Sequence, residues 1–346
     1  MDSKALDQLE LLLDKVQHSG LPKDLLEFVS IRLSQLSKLS DSPTFLPEFD
    51  RINHYIEWVA LLPWNTRTQD ILDLTYAKKV LDKNHYGLAE IKDRILEYLS
   101  VMKLKGSVTD VARAPILCFV GLVGTGKTTI AYSIAEAMGR KFARIPFGGM
   151  GDPLDLRGQS RMHPEAEPGK VIKALKATAS KNPVILLDEI DRVTDQGRSS
   201  IMGVLVELLD PEQNHAFTDH YVDFPFDLSE VLFIATANNT HNISTAVLDR
   251  LEPIMMPSYT DQEKITIGRA YVLPRALREA GIPQGALSFD EDVWPMVVRP
   301  LGFDSGIRTL ERTIEGVVRK VAREIVEGKT SSISITSQNV KQYLPQ

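Results

Sequence analysis

Gly121-Leu122-Val123-Gly124-Thr125-Gly126-Lys127-Thr128 fits the pattern G-x-x-x-x-G-K-[ST] and stands between an apolar run and a helical pattern. That context decides its reading. Glycines in these places let backbone N–H groups turn inward around an anion, and a helix starting at Lys127 points the positive end of its dipole at the same spot. In such a loop Lys127 reaches the β- and γ-phosphates of a nucleotide and Thr128 offers a hydroxyl to Mg²⁺. Gly121, Gly124, Thr125, Gly126 and Thr129 complete the cradle. The bland alternative is a glycine-rich strand-to-helix turn without a ligand. A bare G-x-G-x-x-G leaves that open, whereas the full pattern between strand and helix argues against it.

Outward from the loop, β-branched apolar runs alternate with helical patterns. Ile116–Val120, Val184–Leu187 and Val231–Ala235 read as strands, each followed by a helix, which is the texture of a largely parallel, covered sheet. Upstream, three helical segments follow one another. The first carries Leu6, Leu9, Leu13 and Val16 and stops at Gly20-Leu21-Pro22. The second carries Leu26, Val29, Leu33 and Leu36 and breaks at Ser40-Asp41-Ser42-Pro43; the third carries Ile52, Ile56 and Val59 and ends at Pro63-Trp64. Too few heptads repeat for a coiled coil, so a small helical bundle is expected. After Pro257 helical patterns return at Asp261–Ala280, Glu291–Val298 and Gly306–Val326, with a short strand at Ser332–Thr336 and a last helical turn. The expected organisation is a helical region over 1–82, an α/β nucleotide-binding domain over 83–257 and a helical lid over 258–346.

Two strand ends carry further chemistry. Val184-Ile185-Leu186-Leu187-Asp188-Glu189 is an apolar strand tipped by two carboxylates, so Asp188 would hold the metal and Glu189 would polarise an attacking water. The alternative for such a pair is the first turn of a helix, where acids are favoured. A glutamate after the aspartate argues for hydrolysis over binding alone. Val231–Ala237 ends at Asn238, placed to orient the water or touch the γ-phosphate. Arg250 would serve as a finger on a neighbouring subunit's γ-phosphate, against an ordinary ion pair with Asp249 or Glu252. Arg308 opens a helix and would reach the same phosphates in cis. For either arginine alone, residue chemistry leaves the choice open.

Composition sets the frame. The 346 residues are 43% hydrophobic and 25% charged, as in ordinary globular proteins. A net charge of −6 offers no basic footprint for nucleic acid. No apolar stretch approaches the roughly 20 residues of a bilayer span, and Met1-Asp2-Ser3-Lys4 does not open a signal peptide. The one cysteine, Cys118, lies inside an apolar run and reads as a buried thiol in a reducing, cytoplasmic setting.

Taken together these pieces resemble AAA+ ATPases, and among them Lon protease. The resemblance is dense in Leu61-Leu62-Pro63-Trp64-Asn65, His85-Tyr86-Gly87-Leu88, Ile91–Leu99 and Lys181-Asn182-Pro183-Val184. It continues in Leu187–Asp191, Leu209-Asp210-Pro211-Glu212-Gln213-Asn214, Phe217-Thr218-Asp219-His220-Tyr221, Val231–Asn239 and Leu248-Asp249-Arg250. It implies Asn238 as sensor 1, Arg250 as arginine finger, Arg308 as sensor 2 and Tyr86 near the adenine. It also implies ATP and Mg²⁺ as cofactors, and a homohexameric ring that unfolds and threads unfolded or tagged proteins toward a peptidase module. DNA is not an expected partner, nor is a membrane. Three departures stand out. Lon's Ser-Lys peptidase is expected to be missing, because it normally follows the point where this chain stops at Gln346. The segment after Asp191 is short around Asp195-Gln196-Gly197-Arg198. In the pore loop, Met162-His163-Pro164-Glu165 replaces an aromatic, an aliphatic residue and glycine, which weakens the expected grip on substrate.

Overall fold

A computed structural model describes residues 3–39, 42, 44–105, 116–283, 285–299 and 306–344. Of the expected break at Ser40–Pro43, only Ser42 lies among them.

Among the described residues, seven short strands lie between Ile116 and Met255. They are β1 (Ile116–Val120), β2 (Phe142–Pro146), β3 (Val184–Asp188), β4 (Phe217–Thr218), β5 (Pro225–Phe226), β6 (Leu232–Ala237) and β7 (Leu251–Met255). Five of them form a sheet in the order β2-β3-β6-β1-β7. β3 pairs in parallel with β2, from Phe142↔Val184 to Pro146↔Asp188, and with β6, from Val184↔Leu232 to Leu187↔Ala235. The three expected strands are the three inner ones, and two more, β2 and β7, flank them. The physical reason is position. Every residue of β3 and β6 is buried, so both read as unbroken apolar runs. β2 and β7 are only partly buried and carry Pro146 and Pro253, residues tolerated where a strand has one unpaired side. Their sequences therefore lack the apolar signature.

The chain forms two compact units that interleave along the sequence. One comprises residues 1–73, 98–118 and 135–252; the other comprises 74–97, 119–134 and 253–346.

In the first unit α1 (Ser3–His18), α2 (Lys23–Ser37) and α3 (Phe45–Ala60) pack against one another as the expected bundle. Their seam holds Val16, Leu25, Val29, Leu33, Ile56 and Val59, all buried. The Leu61–Asn65 segment anchors the bundle's end. Trp64 donates its indole N–H to the Val59 carbonyl at 2.8 Å and packs its ring 4.9 Å from that of Phe226 on β5. Tyr55 donates to the Val222 carbonyl at 3.0 Å. The expected first helical region is thus tied to the β4–β5 pair, whose strands run antiparallel.

In the second unit α4 (Leu74–Asn84), the start of α5 (Ala89–Lys105) and most of α6 (Lys127–Met138) accompany the carboxy-terminal helices. The expected helix at Asp261–Ala280 is present in three pieces: Asp261–Ile267, a π-helical turn at Gly268–Val272, and Leu273–Glu279. It begins with a capping box, in which Thr260 accepts from Glu263 N–H and the Glu263 carboxylate accepts from Thr260 N–H. The helix Arg308–Val326 buries Leu310, Ile314, Val317, Val318 and Val321 at helical spacing against Trp294, Val297 and Val298. The expected strand appears as β9 (Ile333–Ile335), paired in parallel with a strand not expected, β8 (Leu287–Phe289).

Candidate functional site

The expected site residues fall in both units, and each unit builds its share by different means. In the second unit the loop after β1 is shaped by glycine. Gly124 and Gly126 have φ of +84° and +94°, backbone conformations that favour glycine and that an anion-holding nest of N–H groups requires. A side chain on Gly121 would place its Cβ 2.7 Å from the Met256 carbonyl oxygen. Thr125 is fully buried and bonds the Leu122 carbonyl at 2.9 Å, and Thr129 bonds that of Gly126 at 2.9 Å. The Lys127 ammonium, largely buried, donates to the carbonyls of Gly121 at 2.6 Å and Leu122 at 3.0 Å. Thr128 follows it in the first turn of α6.

Arg308 comes to this loop. Ile307 N–H donates to the Gly124 carbonyl at 3.0 Å, and a Cβ on Gly124 would lie 3.3 Å from Arg308 N. Gly306 packs so closely that its own Cβ would meet Val123 O at 2.4 Å. Tyr86 belongs to the same unit, in the turn between α4 and α5.

The first unit builds its share from side chains. Asp188, buried at the end of β3, accepts from Thr236 Oγ1 at 2.5 Å on one oxygen and from Arg144 Nε at 2.6 Å on the other. Thr236 Oγ1 in turn accepts from Glu189 N–H at 2.9 Å. No ordinary helix N-terminus follows. Glu189 itself is left-handed, at φ 58° and ψ 49°, a conformation that costs a glutamate about 1 kcal/mol or more. Its Oε2 lies 3.3 Å from where a Cβ on Gly148 would sit and 3.7 Å from Arg192 Nη1. Asn238 is fixed by its backbone, which donates to buried Asp191 at 3.0 Å; Asn239 N–H donates to the same carboxylate at 3.4 Å. Arg250 pairs with neither Asp249 nor Glu252. Its Nη2 donates to Asp210 at 2.6 Å and its Nη1 to the Ala246 carbonyl at 2.8 Å. That bond and two further donors hold the Asp210 carboxyl below the usual range. Cys118 is buried, and burial pushes its thiol up to about 12, which makes it inert as a nucleophile.

Sequence reasoning named Asp188, Glu189, Asn238 and Arg250 but not the groups that hold them: Thr236, Arg144, Asp191 and Asp210. Thr236, two residues before Asn238 on an apolar strand, was the findable one, since a lone hydroxyl in a buried run needs a partner. Arg144 and Asp210 sit tens of residues from their partners and leave no spacing to read.

The residues fit a magnesium nucleotide. The loop conformation suits a polyphosphate, and among the described residues no group of three or more His, Cys, Asp or Glu is arranged to hold a metal ion. Mg²⁺ rarely has an all-protein cage; it is carried by substrate phosphates with one or two protein oxygens.

Comparison with known proteins agrees. Residues 117–259 match the family model of the ATPase family associated with various cellular activities (AAA), and residues 278–333 match the Lon protease AAA+ ATPase lid domain. The Lon protease of Lawsonia intracellularis is 44% identical over 339 residues, covering 98% of this chain and 40% of that protein. That of Halothermothrix orenii is 41% identical over 331 residues, 96% of this chain and 41% of that protein. Lon protease 2 of Thermus thermophilus is 42% identical over 338 residues, 95% and 42% of the respective chains. The chain thus spans about two fifths of the length of the curated relatives it matches.

Proposed function

The chain belongs to the Lon protease family, in the part that carries the AAA+ ATPase and its lid, and on that premise we propose that it hydrolyses ATP with Mg²⁺ to move polypeptide. The observation that carries this reading is the loop of positive-φ glycines running into α6, with Lys127 buried at the helix start. Bound there, ATP supplies the phosphoanhydride bond to be broken. Lys127 and the loop N–H groups would hold its phosphates, with Tyr86 toward the base. Thr128 and Asp188 would hold the metal. Glu189 draws a proton from water, Asn238 orients that water, Arg308 answers phosphate charge in cis and Arg250 does so on a neighbour. Thr236 and Arg144 keep the Asp188 carboxylate in place until it is needed. The division into 1–82, 83–257 and 258–346, the homohexameric ring, unfolded or tagged protein substrates, a peptidase module as partner and a cytoplasmic setting belong to the same reading. No described helix is long and apolar enough to cross a membrane.

Two substitutions test it. Lys127→Ala should abolish binding of a fluorescent ATP analogue, whereas Glu189→Gln should keep it and cut turnover by roughly 10²–10⁴-fold. Equal loss of affinity in both variants would show the roles to be misassigned.

A second reading, a remodeller or regulatory partner with weak grip, draws on the loop around His163. Met162 is 82% exposed, and with His163 and Pro164 it borders a cavity of about 460 Å³. Glu167, two residues beyond the Met162–Glu165 stretch, is paired with Lys173 at 2.5 Å, which offsets its negative charge. Rewriting Met162-His163-Pro164-Glu165 as Thr-Tyr-Val-Gly should raise casein-stimulated ATPase. An unchanged rate would remove the ground for this second reading.

A further inference from the structure

The stretch from Gly158 to Gly169, which carries Met162-His163-Pro164-Glu165, leaves and re-enters the fold at one point. A Cβ on Gly158 would lie 2.8 Å from Gly169 N, and one on Gly169 would collide with Leu156 O, so the two ends meet through backbone alone. Gln159 N–H donates to the Glu167 carbonyl at 3.1 Å beside that neck. Asp219, fully buried, closes it. One of its carboxylate oxygens accepts from Gly169 N–H at 2.7 Å, and the other accepts from Tyr221 and Val222 N–H at 2.8 and 3.1 Å. The result is a compact loop with adjoining ends, a form that is frequently functional.

Beyond the neck the loop is flanked by open space. A cavity of about 480 Å³ lies between it and helices α2 and α3, and others of about 460 and 710 Å³ border it near His54 and near Leu154. The hydrogen bonds of its tip turn inward: Met162 N–H on Ser160 Oγ at 3.4 Å, His163 N–H on the Ser160 carbonyl at 3.0 Å, Ala166 N–H on the His163 carbonyl at 3.2 Å. Arg161 reaches outward. Its guanidinium lies 4.2 Å from the centre of the Tyr55 ring on α3 and 6.0 Å from that of Phe28 on α2, with Nη2 3.2 Å from Asp223. Tyr55 in turn donates to the Val222 carbonyl, beside Asp223 in the turn that starts at Asp219. On the far side of the tip α3 repeats the arrangement. Lys176, in the helix Lys170–Thr178 that follows the loop, sets its ammonium 3.7 Å from the ring centre of Trp58, one turn beyond Tyr55. One helix of the bundle thus offers a ring to a cation on each side of the tip, and such contacts strengthen as water is excluded from them.

We propose that Arg161 and Tyr55 are positioning residues for the grip on polypeptide: they fix the loosely flanked tip to α3, so that force on Met162 and His163 is carried by the helical bundle. The proposal rests on the polypeptide-moving reading above and adds to it α3 as the anchor of the loop. A merely structural role would lower stability and basal turnover together, whereas positioning acts on the tip alone.

The experiment uses the full chain and reads both the tip and the grip. Cys118 is buried and Glu165 is exposed, so a thiol-reactive dye on Glu165→Cys reports the tip selectively. In that labelled chain Arg161→Ala should lower the dye's fluorescence anisotropy. In the unlabelled chain, with ATP and Mg²⁺, it should raise the casein concentration for half-maximal ATPase stimulation about two- to tenfold, the range of one cation–aromatic contact. Basal turnover should stay within about twofold of the wild-type chain. Arg161→Lys, which retains a cation, and Tyr55→Phe, which retains the ring, should stay near wild type in both measurements. Arg161→Met, which keeps the aliphatic stem, serves in place of Arg161→Ala if thermal melting shows that variant unfolded. Lys176→Ala should leave the anisotropy unchanged. An equal fall in anisotropy from Lys176→Ala, or an equal loss of basal turnover in Arg161→Ala, would overturn the proposal, since α3 as a whole would then have loosened. Unchanged anisotropy in Arg161→Ala, or a freer tip with unchanged casein dependence, would overturn it too. A wild-type chain whose ATPase ignores casein would remove the polypeptide-moving reading, and this proposal with it.

Discussion

The phosphate loop and the acidic strand end contribute to one expected chemistry, yet they are built from different materials. Around the loop the decisive contacts are backbone to backbone: Ile307 N–H on the Gly124 carbonyl, Gly306 against Val123, Gly121 under Met256. Around Asp188 they are side chain to side chain or side chain to backbone: Thr236, Arg144, Asp191 under Asn238, Asp210 on Arg250. A region made of backbone is sensitive to added volume. One made of side chains is sensitive to charge and donor identity. The same contrast governs what could be read in advance, because glycine demands leave a fixed local spacing and long-range side-chain pairs do not.

The largest effect should come from the side-chain region. Arg250→Ala should lower turnover about 10³-fold, the smallest effect usual for a lost arginine finger, while affinity for a fluorescent ATP analogue stays within about twofold. Mixing Arg250→Ala with Lys127→Ala subunits should restore part of the rate, since each supplies what the other lacks. Asp210→Asn removes the charge that holds Arg250 and should fall between the wild-type chain and Arg250→Ala. Full activity in a dilute monomer would break this half of the comparison.

A smaller effect is expected from volume alone in the backbone region. Gly306→Ala introduces one methyl, yet it would sit 2.4 Å from Val123 O and 2.7 Å from the Gly124 carbonyl carbon. Neither atom belongs to a side chain that can swing away, so the variant should lose about 2 kcal/mol in urea unfolding and weaken tripolyphosphate as much as ATP. Unchanged stability would show the loop more yielding than a backbone contact permits.

The smallest effect sharpens the contrast at His85, where a side chain serves the backbone region. Burial first, and the Lys92 ammonium second, push its pKa down to about 4, against the opposing bond to the Thr129 backbone. Lys92 is itself paired with Asp82, and the remaining partner, Ser133, does not titrate. The folded chain thus binds this proton more weakly than the unfolded one. The stability it confers is complete above about pH 6.5 and is lost as pH falls toward 4. Between pH 6.5 and 5.5 the wild-type chain should lose about 1 kcal/mol more than His85→Gln, read from urea unfolding at each pH. Parallel pH profiles for the two would place His85 in solvent.

The sequence made the inner strands, the loop and the acidic tip legible because each is a local pattern. β3 and β6 are buried along their whole length and so are apolar throughout; β2 and β7, half-buried and proline-bearing, carry no such mark. The ion pair weighed as the alternative for Arg250 looked to the wrong acids for the same reason. Nearness in sequence suggested Asp249 or Glu252, whereas the fold supplies Asp210 from forty residues away. The Leu61–Asn65 run carried family resemblance without a visible task until Trp64 was seen packed on Phe226.

The interleaving of the two units has a consequence for how the molecule comes into being. The chain passes from one unit to the other five times, the last time after Glu252. Emerging from a ribosome, the first unit is complete once that residue is out. The stretch 119–134, with the phosphate loop in it, must by contrast wait for residues 253–346 before the rest of its unit exists. At ordinary elongation rates that wait is on the order of ten seconds. During it Gly124 lacks the Ile307 amide and Gly121 the Met256 carbonyl, so the loop is born well before the contacts that shape it. Nascent chains halted when residue 252 has just left the ribosome should accordingly bury the Trp64 ring while leaving the phosphate loop open to protease.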